Sequence, residues 1–196
     1  MGVPVTSLEQ TIVDCLCHTS FADGLAIADA AMRMLNVSNC ELYDLVCKRG
    51  EHRKGIVHAR AIAQHANALS GSGGESIARA RMIQLGFLEP ELQVAIANPV
   101  QSNGDYFVDY LWHLFDGRTI VGEFDGAEKY TLFSTNLAES ALRSMMCERQ
   151  REAHLTLACD AIVRFSYPDL MNPQAFTVLL SSYGIPRHKP LKSTLF

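Results

Sequence analysis

No apolar run in this 196-residue chain approaches the ~20 residues that a membrane span needs. The N-terminus has no basic segment followed by an apolar stretch, so no secretory leader is expected. None of the six cysteines forms a C-x-x-C pair, which argues against a zinc ribbon, a thioredoxin-like motif or a disulfide framework. Most sit beside Leu, Val or Met, so reduced, buried thiols in a cytoplasmic protein are the expectation. The seven histidines show no H-x-x-x-H spacing. A basic excess is missing too. The formal net charge is −4, with 6 basic against 7 acidic residues before Gly74 and 11 against 14 from there on. Neither half carries the positive surplus of a strong nucleic-acid binder. Internal repeats are absent.

What remains is ordinary globular material, 48% apolar and 19% charged, enough for a real core. The first part reads as helices. Ser7 to Gln10 has a capping-box pattern and is followed by Ile12, Val13 and Leu16 at helical spacing. Phe21 to Leu35 is rich in Ala, Leu and Met. Ser38 with Glu41 offers a second capping box, and the helix it opens should stop at Gly50. Arg53 to Ala68 is expected to be a fourth helix. The polar run Ser70-Gly71-Ser72-Gly73-Gly74 is the best boundary, which predicts a helical module over residues 1–70 and a second domain over 75–196.

After the boundary the grammar changes. A helix from Glu75 to Leu85 ends at Gly86. Strands are expected at Glu91–Ala97, Tyr106–Leu114 and Arg118–Phe124, then a helix from about Leu137 to Ala158. A strand at Asp160–Phe165 and a helix at Pro168–Tyr183 close the chain. The predicted fold class is therefore α+β or α/β: helices first, then a mixed sheet flanked by helices.

Four acidic positions stand out: Glu75, Asp109, Glu123 and Asp125. Asp109 sits inside Phe107-Val108-Asp109-Tyr110-Leu111-Trp112, and Glu123 and Asp125 inside Ile120-Val121-Gly122-Glu123-Phe124-Asp125-Gly126. A carboxylate in an apolar strand is costly to desolvate and needs a cation or several donors. Two on neighbouring strands that share a face repel unless a metal lies between them. Sharing a face depends on the hairpin. A two-residue Asp116-Gly117 turn pairs 109 with 124 and puts Asp109 and Glu123 on opposite faces. A three-residue loop, Phe115-Asp116-Gly117 with Gly117 left-handed, pairs 109 with 123. A metal site requires the second. Gly122 and Gly126 in this strand suggest a close approach to the backbone. Lys129 follows, and a lysine beside metal-binding carboxylates can hold a scissile phosphate or orient the attacking water.

These segments resemble a known family. Glu75-Ser76-x-x-Arg79, Pro90-x-x-Gln93, Val108-Asp109-x-x-Trp112, Glu123-Phe124-Asp125-Gly126-x-x-Lys129-Tyr130, Glu148-x-x-Arg151-Glu152-x-x-Leu155 and Ile162-Val163-Arg164-Phe165 are similar, in order and spacing, to the very-short-patch-repair-like branch of the PD-(D/E)XK nuclease superfamily. Val5 to Asp14 resembles the helical part of the AbiEi-type antitoxin region that often precedes such a domain. The resemblance implies a restriction-endonuclease-like fold and a Mg²⁺- or Mn²⁺-dependent endonuclease acting on DNA. It implies Asp109 and Glu123 as metal ligands, with Glu75 completing the acidic cluster or holding a metal-bound water. Asp125 stands where the superfamily pattern usually has lysine, leaving Lys129 as the migrated basic group. Gln93 is placed at the edge of the site. Arg151 and Arg164 are implied as phosphate contacts or as ion-pair partners of Glu148 and Glu152. Relatives of this type usually begin with a winged helix-turn-helix reader, which is not expected in this chain.

For nucleic acid the candidate contacts are the basic stretch Lys48, Arg49, Arg53 and Lys54, set against an ordinary solvated loop, together with Gln93. Among the histidines, His113 alone is a candidate for catalysis, because it lies close in sequence to Asp109. The competing expectation is a non-catalytic, DNA-binding or antitoxin-like regulator that keeps the nuclease fold. A homodimer through the Ala/Met/Leu-rich helical module is compatible with either.

Overall fold

The computed structural model describes residues 3–100, 104–126 and 138–188. The chain divides into two compact units, one covering residues up to Gln84 and the other Leu85–His188. Among the described residues the elements are eight helices and a four-stranded mixed sheet, an α+β arrangement.

The first unit is all helix: α1 (Leu8–His18), α2 (Phe21–Leu35), α3 (Asn39–Arg49), α4 (Ile56–His65) and α5 (Gly73–Leu85). α1, α2 and α3 begin where capping side chains satisfy their first N–H groups. The Ser7 hydroxyl accepts from the Gln10 N–H, Ser20 from Asp23, and Ser38 with Glu41 forms a complete capping box. α4 starts three residues later than the pattern suggested, because Gly55 adopts φ 86° against the Cys17 carbonyl and the helix can only start beyond it. The core is built from Val13, Leu16, Leu25, Leu42, Val46 and Ile62, all fully buried.

The Gly/Ser run does not separate the two units. Its last glycines already lie in α5, whose Ala80 and Ile83 join the core of the first unit. Arg79, only 3% exposed, forks onto both oxygens of the fully buried Asp29 at 2.8 and 2.9 Å and also donates to the His65 carbonyl. α5 therefore belongs with the helices before it, and the units part at Gln84–Leu85. The cysteines correct the expectation of buried thiols. All six are free, but only Cys17 is buried, while Cys40 and Cys147 are exposed.

The second unit holds β1 (Glu91–Ala97), β2 (Asp105–His113), β3 (Thr119–Asp125), α6 (Ala138–Leu155), β4 (Ala161–Ser166), the single turn α7 (Tyr167–Leu170) and α8 (Pro173–Ser182). The sheet order is β1-β2-β3-β4, with the first three antiparallel and β4 parallel to β3. A parallel neighbour needs a crossover, and α6 supplies it. One sheet face is aromatic. Tyr110, Phe165 and Phe176 pack in sequence with centroids 5.6 and 5.2 Å apart, the second pair edge to face, and the Trp112 indole N–H donates to the Leu88 carbonyl at 2.8 Å. The remaining core gathers Val108, Leu111, Val121 and Leu155. The expected C-terminal helix is split, because Pro168 and Pro173 each sit in the first turn of a new helix. No described helix is long and apolar enough to cross a membrane.

Candidate metal centre

The hairpin joining β2 to β3 has the longer loop. The Leu114 N–H donates to the Arg118 carbonyl at 2.8 Å, closing Phe115-Asp116-Gly117, and Gly117 takes φ 88°. The register follows: Tyr110 faces Gly122, Leu111 faces Val121 and Trp112 faces Ile120. The ladder ends at the Tyr110–Gly122 pair, one residue short of Asp109 and Glu123, which leaves the two acids on adjacent strands just beyond it.

At Asp109 the sheet departs from regularity. Leu114 and Arg118 form a hydrogen-bonded pair, so 112/120 and 110/122 are pairs of the same kind. One step further, the Phe124 N–H would donate to the Val108 carbonyl. It donates instead to the Asp109 carboxylate at 2.8 Å. The period-two alternation of β2 also breaks here, since Val108 and Leu111 share a cluster while Tyr110 and Trp112 lie on the aromatic face. Opposite, Gln93 has φ 49°, a left-handed conformation unusual for a side-chain-bearing residue, and its amide donates to Asp109 at 3.3 Å. Asp109 thus terminates the β2–β3 ladder and captures an N–H that the ladder releases.

Glu123 is 7% exposed. Burial pushes its carboxyl up to about 7; the Arg151 guanidinium opposes this, and the negative charge of Asp109 adds to it. Arg151, from α6, donates to Glu123 at 2.8 Å and to the Phe107 carbonyl at 2.5 Å, with Glu148 at 3.5 Å. Beside it, Arg164 of β4 is paired in register with Glu123, but its guanidinium forks onto Asp125 at 2.6 and 3.1 Å and reaches Glu148 at 3.2 Å and Glu152 at 3.7 Å. The Asp125 hydrogen bond, above all, makes Arg164 hold its proton more tightly than an ordinary arginine.

The structure therefore brings together Asp109, Glu123, Gln93 and, one pair further along, Asp125. Arg164 reaches Glu148 and Glu152 as the resemblance implied, but its strongest partner is Asp125. Arg151 reaches Glu148 and, unforeseen, Glu123. That contact had no signal in the sequence, because it depends on how α6 crosses the sheet. Lys129 lies outside the described residues. Glu75 belongs to the first unit, where its carboxylate accepts the Gly71 N–H at 2.6 Å. Gly122 is explained by packing rather than by a ligand: a Cβ there would lie 2.7 Å from the Trp112 ring and 3.0 Å from the Tyr110 Cβ. His113 sits at the hairpin end, 61% exposed, with its ring 3.4 Å from the Thr119 hydroxyl, so it is no partner of the acidic pair.

In the first unit the basic stretch is largely neutralised. Arg49 pairs with Glu9 and Arg53 with Asp14, which leaves Lys48 and Lys54 as the two lysines of an otherwise ion-paired loop.

Among the described residues, no group of three or more His, Cys, Asp and Glu side chains is arranged to hold a metal ion. The acidic pair still suits one type of cation. Mg²⁺ demands oxygen ligands, keeps several of its waters, and is commonly held by only one or two carboxylates. A buried carboxyl lifted to about 7 beside a second acid is under-compensated by its guanidinium, and a divalent charge would correct that. Comparison with family models, characterised proteins and solved structures finds no match to this chain.

Proposed function

We propose that the second unit is a divalent-metal-dependent phosphodiesterase acting on DNA, built around Asp109 and Glu123. The observation that carries the reading is the three-residue hairpin loop, which leaves these two acids on adjacent strands, each one residue beyond the last Tyr110–Gly122 pair. The resemblance to the very-short-patch-repair-like nucleases supports the same assignment from the motif side. Asp109 and Glu123 would hold Mg²⁺ or Mn²⁺, which when bound polarises a phosphate and acidifies a bound water. Asp109 is fixed for this by the Phe124 N–H and Gln93, and Glu123 by its place on β3. Arg151 and Arg164 supply positive charge beside the acids, of the planar donor type that matches phosphate oxygens. Lys129 is assigned the orientation of the attacking water by the motif alone.

The test is cleavage of plasmid and oligonucleotide DNA with Mg²⁺ or Mn²⁺, wild type against Asp109→Ala. Cleavage that persists equally in the variant would falsify the assignment. A second reading, a non-catalytic DNA-binding or antitoxin-like regulator on the same fold, is favoured by one observation: Glu123 and Asp125 each already have an arginine partner. Calorimetric titration with Mn²⁺ separates the two, and a silent titration selects the second. A homodimer through the helical unit stays a proposal, supported by exposed Leu8 and Met34 and checked by sedimentation of the full chain.

A further inference from the structure

Arg151 is placed unlike the other cations of the second unit. Arg164 is shared among Asp125, Glu148 and Glu152, all half-exposed, and Arg118 pairs with the exposed Asp116 at the hairpin. Arg151 instead reaches across from α6 to the buried Glu123, 2.8 Å from its Oε1, and the same nitrogen also donates to the Phe107 carbonyl. Its side chain is 22% exposed, so the contact is shielded from solvent and from salt. The guanidinium therefore occupies one of the two Glu123 carboxylate oxygens and sets a positive charge beside the carboxylate that a cation would share. An oxygen lone pair serving Arg151 is withheld from a metal, and two positive charges within a few ångströms repel strongly in such surroundings.

We propose that Arg151 is a built-in competitor of the divalent cation: it occupies Glu123 in the metal-free protein and sets the metal affinity by having to yield. The inference rests on the metal-site reading above and adds its regulation. It makes Arg151 a positioning residue, whose removal raises affinity for the ion rather than lowering it. A purely structural arginine would behave differently, since its loss would loosen α6 and weaken or leave unchanged any site beneath it. Once released from Glu123, the guanidinium is a planar donor free to take a phosphate oxygen, so it would serve a different partner in each state.

The experiment is calorimetric titration of the full-length protein with Ca²⁺ and Mg²⁺ at pH 8.5, where protons do not replace the guanidinium as competitor. Wild type, Arg151→Gln, Arg151→Lys and Asp109→Asn are compared. Arg151→Gln is expected to bind at least tenfold more tightly than wild type. Arg151→Lys should fall between them, because an ammonium keeps the charge but not the double contact, and it covers the case in which the glutamine variant fails to fold. Asp109→Asn should lose binding. Equal or weaker binding in both Arg151 variants, with wild type binding normally, overturns the inference and leaves the metal site standing. No heat in wild type or in either Arg151 variant overturns the metal-site reading itself.

Discussion

The sharpest consequence of the acidic pair concerns stability rather than catalysis. Glu123 has its carboxyl raised from the ordinary 4.5 to about 7, chiefly by burial. Between those two values the folded protein holds a proton that the unfolded chain has released, so stability falls as pH rises through that window and levels off above it. The deficit at pH 8 is on the order of 3 kcal/mol. Glu123→Gln removes the titration while keeping a similar shape and an oxygen that can accept from Arg151. That guanidinium loses a counter-charge, which offsets part of the gain. The variant is expected to be more stable than wild type by about 1 to 3 kcal/mol at pH 8, and to match it near pH 5, where Glu123 is protonated. For a unit of about a hundred residues this corresponds to roughly 5–15 °C in the midpoint of its transition. Scanning calorimetry in EDTA at pH 5 and pH 8 measures it. A stability difference that is the same at both pH values, or a variant less stable than wild type at pH 8, would show that Arg151 fully compensates the buried charge.

Other expectations follow from packing and pairing. Arg79→Met alone strands the buried Asp29 and should cost about 3–5 kcal/mol, while pairing it with Asp29→Leu should recover most of that; urea denaturation of the single and double variants checks it. Gly122→Ala drives a methyl into Trp112 and Tyr110 and should cost about 1–3 kcal/mol, visible as a lowered urea midpoint. Gly117→Ala meets no neighbour within 4 Å but forces an L residue to φ 88°; its expected cost is about 1 kcal/mol, read from thermal melts.

Much of this arrangement is legible before any coordinates, and for local reasons. Capping residues and periodicity mark α1 to α3, whereas the choice between a two- and a three-residue hairpin loop is left open until the Leu114–Arg118 hydrogen bond selects the longer one. Legibility fails where tertiary contacts override local signals. The Gly/Ser run looks like a linker, yet the Arg79–Asp29 pair, between residues 50 apart in sequence, binds α5 to the first unit. Gly122 looks like a ligand approach but is cleared for an aromatic ring. Arg49 and Arg53 look like phosphate contacts, yet Glu9 and Asp14 come back from α1 to meet them. The pairing of Arg151 with Glu123 depends on the crossover of α6, which no short-range pattern encodes.

Asp109 has two possible reasons to be acidic, and the choice of substitution decides whether an experiment can tell them apart. It accepts the Phe124 N–H where the β2–β3 ladder ends, which any side-chain carbonyl at that spot could do. It also contributes a negative charge beside Glu123, which only a carboxylate can do. Asp109→Ala removes both, leaving a donor unpaired at a cost of about 1–3 kcal/mol, so lost activity could reflect a damaged sheet. Asp109→Asn separates the roles. Its carbonyl can keep the Phe124 bond, and the Gln93 amide can turn to present its oxygen. The sheet should then keep its stability to within about 0.5 kcal/mol in urea denaturation, while cation binding and cleavage are lost. If Asp109→Asn cleaves DNA as wild type does, Asp109 is a cap for β3 and the hydrolytic site lies elsewhere. If it is stable and inactive, the charge was the requirement.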